Sequence, residues 1–150
     1  LMMMNSLSEK KLPIYGDGKN VSDWIHVYDH CDAILSVVEN GKIGEKYNIG
    51  GNCELQNIDI VNIICQKLDK KQQRKNEESY NDLIEFVEDR PGHDFRYAID
   101  SSKIHNELGW KPNISFEEGI EDTINWYIEN KQWWKNIIKQ KYNLERLGKV

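Results

Sequence analysis

No apolar run in this sequence approaches the roughly 18 to 20 residues that a membrane-spanning helix needs, so no span is expected from it. Paired cysteines are missing as well. Cys31, Cys53 and Cys65 are odd in number and far apart, with no C-x-x-C, which argues against a disulfide framework and a cysteine zinc site and fits a reducing cytoplasm. Positive charge is not in excess: the net is −5, so no broad nucleic-acid surface is expected, although a few local Arg and Lys residues suffice for one diphosphate. Neither G-x-x-G-x-x-G nor G-x-G-x-x-G occurs, so the phosphate-cradling turn of a dinucleotide fold is absent. A dinucleotide cofactor therefore has no recognisable primary site in these residues.

What is there reads as a soluble globular chain. Its 150 residues, 39% hydrophobic and 30% charged, allow one compact unit with a continuous core but are short for an enzyme with separate cofactor and substrate lobes. The opening residues 1–7 are too short for a signal-peptide core and have no basic residues before them; they read as the end of a helix whose start is missing.

Residues 11–15 predict a short strand, and Gly16-Asp17-Gly18 supplies the backbone freedom for a tight turn. An extended stretch is expected over 21–27. Asp29 then reads as the N-cap of a helix with Ala33, Ile34, Val37 and Val38 on one apolar face and Gly41 at its C-terminal end. Residues 46–49 predict a strand stopped by Gly50-Gly51, and Asn57 caps a helix carrying Ile60, Val61, Ile64 and Leu68 at helical spacing. The charged, Gln/Asn/Ser-rich stretch 69–81 reads as a solvated connection or frayed helix end. Further on, 83–87 predicts a strand, 90–93 a loop, 96–99 an extended stretch, and Ser101-Ser102 the start of a short helix ending near Gly109. Ser115 and Glu118 have capping-box spacing ahead of a helix to about Asn130, and a polar helical tail follows from Gln132. Short strands mixed with helices imply an α/β or α+β unit.

Four features carry candidate chemistry, each with a plainer reading beside it. Tyr15 and Lys19 have the Tyr-x-x-x-Lys spacing by which a helix puts an acid-base Tyr beside a Lys that lowers its pKa, yet Gly16 and Gly18 stand between them and make a poor helix, so the pair is read as a decoy. His26 and His30, with Cys31 adjacent, straddle the expected break between extended chain and helix and have no second ligand pair, so they are read as structural; His105 is read as a surface residue. The five tryptophans suggest either a sugar-stacking set or core, and Trp126, at helical spacing with Ile120 and Thr123, favours core. The most informative cluster is Asp89-Arg90-Pro91-Gly92-His93-Asp94-Phe95-Arg96-Tyr97. A Pro-Gly turn flanked by two guanidinium groups and an imidazole suits a phosphate or diphosphate, whereas the plain reading is a turn whose arginines pair with Glu88, Asp89 or Asp94.

Five blocks of sequence carry a resemblance. They are Leu12-Pro13-Ile14-Tyr15-Gly16-Asp17-Gly18; Asp23-Trp24-Ile25-His26-Val27-Tyr28-Asp29-His30; Tyr47-Asn48-Ile49-Gly50-Gly51; Asp89 to His93 with Arg96-Tyr97-Ala98-Ile99-Asp100; and Leu108-Gly109-Trp110-Lys111-Pro112. In this order they resemble the dTDP-glucose 4,6-dehydratases, and the Arg-Pro-Gly-His form of the loop separates these from nucleotide-sugar epimerases and decarboxylases that share the weaker blocks. The resemblance implies an α/β fold, the C-terminal part of an extended short-chain dehydrogenase/reductase whose chain contributes to a substrate lobe and packs on a Rossmann lobe. Residues 1–134 would be the substrate-binding portion and 135–150 a polar helical tail.

By the same resemblance Pro13, Ile14, Tyr15, Asn57, Asp89, Arg90, Pro91, Gly92 and His93 would line the nucleotide end of a dTDP-sugar, with Arg90 on the diphosphate. The implied reaction is NAD-dependent: hydride leaves C4 of the glucose, water is eliminated across C5 and C6, and hydride returns to C6. The family's catalytic residues and glycine loop lie upstream, so this chain is expected to supply substrate grip and no catalyst. A cytoplasmic homodimer without nucleic-acid or membrane partners is implied for the full-length family member. A related epimerase or decarboxylase, or a non-catalytic nucleotide-sugar binder, is the alternative. Two positions depart from the family pattern: Ser22 stands where an Arg is usual, and Phe95 where a basic residue is common. Loss of a charge-assisted contact at Ser22 costs about 1.5–3 kcal/mol unless Lys19 compensates.

Overall fold

The computed structural model describes residues 1–141. In chain order the elements are α1 (Met2–Leu7), β1 (Leu12–Tyr15), β2 (Val21–Asp23), α2 (Val27–Asn40), β3 (Glu54–Gln56), α3 (Asn57–Lys71), a 3-10 turn (Tyr80–Leu83), β4 (Ile84–Val87), α4 (Ser102–Leu108), α5 (Phe116–Glu129) and α6 (Lys131–Lys141). They sort into two compact units. The first is built from Leu1–Gly18, Ile58–His93 and the chain from Glu121 onward, the second from Lys19–Asn57 and Asp94–Ile120. No helix among the described residues is long and apolar enough to cross a membrane.

In the first unit β1 pairs in parallel with β4, Leu12 opposite Ile84 and Tyr15 opposite Val87. The period-2 alternation of a strand buries Leu12 and Ile14 and leaves Pro13 and Tyr15 half-exposed. Ile60, Val61, Ile64, Cys65 and Leu68 of α3 complete the core together with Tyr80, Leu83, Ile124 and Trp134. Burial pushes the Cys65 thiol up to about 12. From the polar face of α3, Lys67 Nζ meets Glu121 at 2.6 Å, and Lys71 pairs with the same carboxylate and donates to Asn125 at 2.8 Å.

The stretch 69–81 is not the solvated connection its composition suggests. Tyr80 is 1% exposed, and the polar residues around it act as its hydrogen-bond partners. Asp69 accepts from the Tyr80 amide at 2.8 Å and from Ser79 Oγ at 2.7 Å, the Tyr80 hydroxyl donates to the Gln72 carbonyl, and Arg74 donates to the Ser79 carbonyl. One aromatic ring anchors a segment that otherwise reads as loop.

In the second unit β2 and β3 form an antiparallel pair, Ser22 opposite Leu55, and Arg96 bridges to Val21 on the other side. Ala33, Ile104 and Trp110 make its core, with Ile25, Val37, Tyr47, Ile49 and Leu108 packed against them. Gly109, at φ +69, ends α4 in the left-handed conformation that glycine adopts without penalty. At the start of α5 the Ser115 and Glu118 side chains bond reciprocally, as their spacing predicts.

Several elements differ from what the sequence predicts. Strand pairing stops at Asp23, extended backbone is still found at His26, and α2 begins at Val27, capped by His26, whose Nδ1 accepts from the Tyr28 amide. Asp29 lies inside the helix and reaches across to the Asn113 and Ile114 amides, at 3.1 and 2.9 Å. Of the apolar face on α2, Ala33 is buried, but Ile34 and Val38 are exposed. Residues 46–49 form no strand, while the pairing strand, β3, falls after Gly50-Gly51. Of the tryptophans, Trp110 and Trp134 are core, whereas Trp126 and Trp133 stack edge-on to each other and are exposed. The expected tail is helical through Lys141, and its residues 142–150 lie outside the described residues.

Candidate functional site

Because β1 and β4 run parallel, the turn that leaves Tyr15 and the loop that leaves Val87 emerge at the same end of the pair, where open α/β sheets place ligands. Gly16 and Gly18 take positive φ, +56 and +75, and close a tight turn through the bond from the Gly18 amide to the Tyr15 carbonyl. Gly16 also donates to the Val87 carbonyl at 2.9 Å, which ties the turn to the root of the loop. A Cβ on Gly16 would stand 3.2 Å from Asp89 Oδ2, so the bare glycine leaves room for that carboxylate.

The loop is itself a built turn. His93 N donates to the Arg90 carbonyl at 3.2 Å, with Pro91 and a Gly92 of φ +69 between them, the residue pattern of a type II turn. Asp89 Oδ1 accepts from the Arg90 amide at 2.8 Å and meets His93 Nδ1 at 2.7 Å. The His93 hydrogen bond, then the Arg90 amide, hold the Asp89 carboxyl below the usual carboxylate range. The Tyr15 ring meets the imidazole edge-on at 5.9 Å. Arg90, Pro91 and Gly92 are exposed, and the Arg90 guanidinium makes no hydrogen bond or ion pair among the described residues.

Of the residues expected to line a ligand, the first unit therefore gathers Tyr15, Asp89, Arg90, Pro91, Gly92 and His93 at one end of the parallel pair, with Pro13 two residues back along β1 opposite Glu85. Ile14 is on the same strand, but its side chain is core, 3% exposed. Asn57 opens α3 as the last residue of the second unit, and its amide donates to the Asn20 carbonyl at 3.0 Å. The pair of guanidiniums expected to flank the turn is reduced to one. Arg96 is held in a two-point ion pair by Glu54, at 2.6 and 2.8 Å, which raises its pKa further. Arg90 does not take up the carboxylate pairing of the plain reading: Asp89 is engaged by His93, and Asp94 accepts from the Tyr97 hydroxyl.

Tyr15 ends a strand and Lys19 follows a glycine turn, so the Tyr-x-x-x-Lys pair shares no helix face. His26 is a helix cap, and no set of three metal-ligating side chains gathers among the described residues. What sequence reasoning missed is the contact of Tyr15 and Gly16 with the loop after β4; the glycine at position 16 was its one available signal. The described residues also do not fit a dinucleotide. β1 runs through its glycine turn into β2, β3 enters α3 with no glycine between them, and β4 leads into the Arg90 loop, so no strand, glycine loop and helix stand in the order that cradles a pyrophosphate.

The chain matches the family model described as GDP-mannose 4,6 dehydratase over residues 1–123. It is 49% identical over 150 residues to the dTDP-glucose 4,6-dehydratase of Neisseria meningitidis serogroup B, an alignment that covers 99% of this chain and 42% of that protein. Among solved structures it resembles the dTDP-glucose 4,6-dehydratase of Bacillus anthracis in complex with NAD, with TM-score 0.77 and 47% identity over 91% of this chain and 40% of the other. It also resembles the dTDP-glucose 4,6-dehydratase DesIV of Streptomyces venezuelae with NAD bound, with TM-score 0.80 and 40% identity over 91% and 39%. The chain thus spans about two-fifths of the length of the relatives it matches.

Proposed function

Since the chain belongs to the family described as GDP-mannose 4,6 dehydratase, we propose that it is the C-terminal, substrate-binding portion of a dTDP-glucose 4,6-dehydratase. The observation that carries the reading is the Arg90 turn: a fixed Pro-Gly turn at the end of a parallel strand pair, presenting an exposed guanidinium. Guanidinium geometry matches two phosphate oxygens at once, which suits the diphosphate of a dTDP-sugar. Pro13 and Tyr15, with the backbone of Ile14, then serve the nucleotide end. Residues 1–134 act as this portion, and 135–150 follow it as a tail, of which 142–150 lie outside the described residues.

The reaction served is the conversion of dTDP-glucose to dTDP-4-keto-6-deoxyglucose with loss of water, a step of dTDP-rhamnose biosynthesis. NAD is bound mainly by the N-terminal half of the longer protein, which also supplies the acid-base chemistry. The whole enzyme works as a homodimer in the cytoplasm, where three free cysteines are at home. Two measurements test the reading. The chain mixed with NAD⁺ and dTDP-glucose gives no 4-keto-6-deoxy product; appreciable turnover would overturn the assignment of catalysis to other residues. Titration with dTDP shifts the amide resonances of Gly16 and of Arg90, Gly92 and His93; shifts confined to other regions would move the site elsewhere.

A further inference from the structure

One residue of the Arg90 loop has the wrong charge for an anionic ligand. We propose that Asp89 is a positioning residue of the diphosphate grip: it touches no ligand, and holds the turn that presents Arg90 while fixing the His93 imidazole with hydrogen on Nδ1. The inference rests on the reading of this loop as a diphosphate site.

The geometry converges on a single carboxylate. Oδ1 takes the Arg90 amide at 2.8 Å and His93 Nδ1 at 2.7 Å, so one oxygen clamps both ends of the turn that the bond from His93 N to the Arg90 carbonyl closes. Oδ2 lies on the side of Gly16, where a Cβ would approach to 3.2 Å. An ionised carboxylate only accepts hydrogen bonds, so Nδ1 is the ring nitrogen that carries hydrogen. The ring is braced a second time by the edge of Tyr15, and its side chain is only 9% exposed. A carboxylate turned toward a diphosphate would repel it. Turned into its own loop, Asp89 directs its charge at two N–H donors and takes no hydrogen bond from the Arg90 guanidinium.

Substitutions in the chain decide this, with dTDP as the probe. Asp89→Ala removes the acceptor, whereas Asp89→Asn keeps a carbonyl oxygen for both donors. Asp89→Ala is expected to weaken dTDP binding about tenfold, the effect of losing one charge-assisted clamp. The ¹⁵N resonances of the His93 imidazole then move from the Nδ1-protonated pattern toward a mixture of tautomers, a change that a purely structural loss elsewhere does not produce. Asp89→Asn is expected to hold affinity within about threefold and to keep the imidazole pattern. If Asp89→Ala does not fold, Asp89→Asn still decides, because a tenfold loss there means that the carboxylate itself meets the ligand and overturns the proposal. Wild-type affinity in a folded Asp89→Ala, with binding lost in Arg90→Ala, overturns the proposal and leaves the site standing. Absence of saturable dTDP binding by the wild-type chain removes the site and the proposal together.

Discussion

Replacing Asp29 by alanine should destabilise the unit built from Lys19–Asn57 and Asp94–Ile120 by about 2–4 kcal/mol. Asp29 is 3% exposed, and its two oxygens accept separately from the Asn113 and Ile114 amides. Alanine leaves both donors facing a methyl group, and an unsatisfied buried donor costs about 1–3 kcal/mol. Asn113 is itself exposed and Ile114 half-buried, so water relieves part of the penalty and the sum falls below its maximum. Even so, it is a large share of the roughly 5–15 kcal/mol by which domains are stable. With a urea m-value of about 2 kcal/mol/M, the unfolding midpoint drops by about 1–2 M. Hydrogen exchange at the Asn113 and Ile114 amides should accelerate selectively. Asp29→Asn, which keeps one acceptor, should lose about half as much. A midpoint unchanged in Asp29→Ala, with both amides still protected, would show that these amides do not depend on the Asp29 carboxylate.

Gly16→Ala places a Cβ on a backbone of φ +56 and 3.2 Å from Asp89 Oδ2, so it should cost about 1–2 kcal/mol and disturb the His93 resonances; an unperturbed thermal midpoint would contradict this. Hydrogen bonds from Lys67 and Lys71 hold Glu121 down to about 2, against an ordinary value of 4.5. Its contribution to stability is therefore complete above about pH 4.5 and is lost as pH falls toward 2. Replacing both lysines by methionine should remove that acid-dependent part from a pH series of urea midpoints, and an unchanged acid limb would count against the pairing.

Much of the architecture was legible because it is local. The Gly16-Asp17-Gly18 turn, the α3 face of Ile60, Val61, Ile64 and Leu68, the glycine end of α4 and the Ser115 to Glu118 box each follow from residues within a turn or two of one another. What escaped depends on partners far along the chain. Asp29 has the composition of a helix cap, but its oxygens go to amides at 113 and 114. Residues 46–49 have a strand's pattern, yet Tyr47 and Ile49 pack on the Ala33, Ile104 and Trp110 core and find no ladder partner. Tyr80 sinks a polar stretch because Asp69 and Gln72 satisfy it. The candidate site divides the same way. The Pro-Gly turn and Arg90 could be read directly, whereas the parallel pairing of β1 with β4, the clamp of Asp89 on His93, and the capture of Arg96 by Glu54 are tertiary.

Calorimetric titration of dTDP into the chain and its Arg90→Ala variant asks whether Arg90, held by its turn, grips a diphosphate. The wild type should bind saturably and the variant with an affinity about ten- to a hundredfold lower, the equivalent of ~1.5–3 kcal/mol for one charge-assisted contact. Equal affinity in the two proteins, both folded, would contradict it.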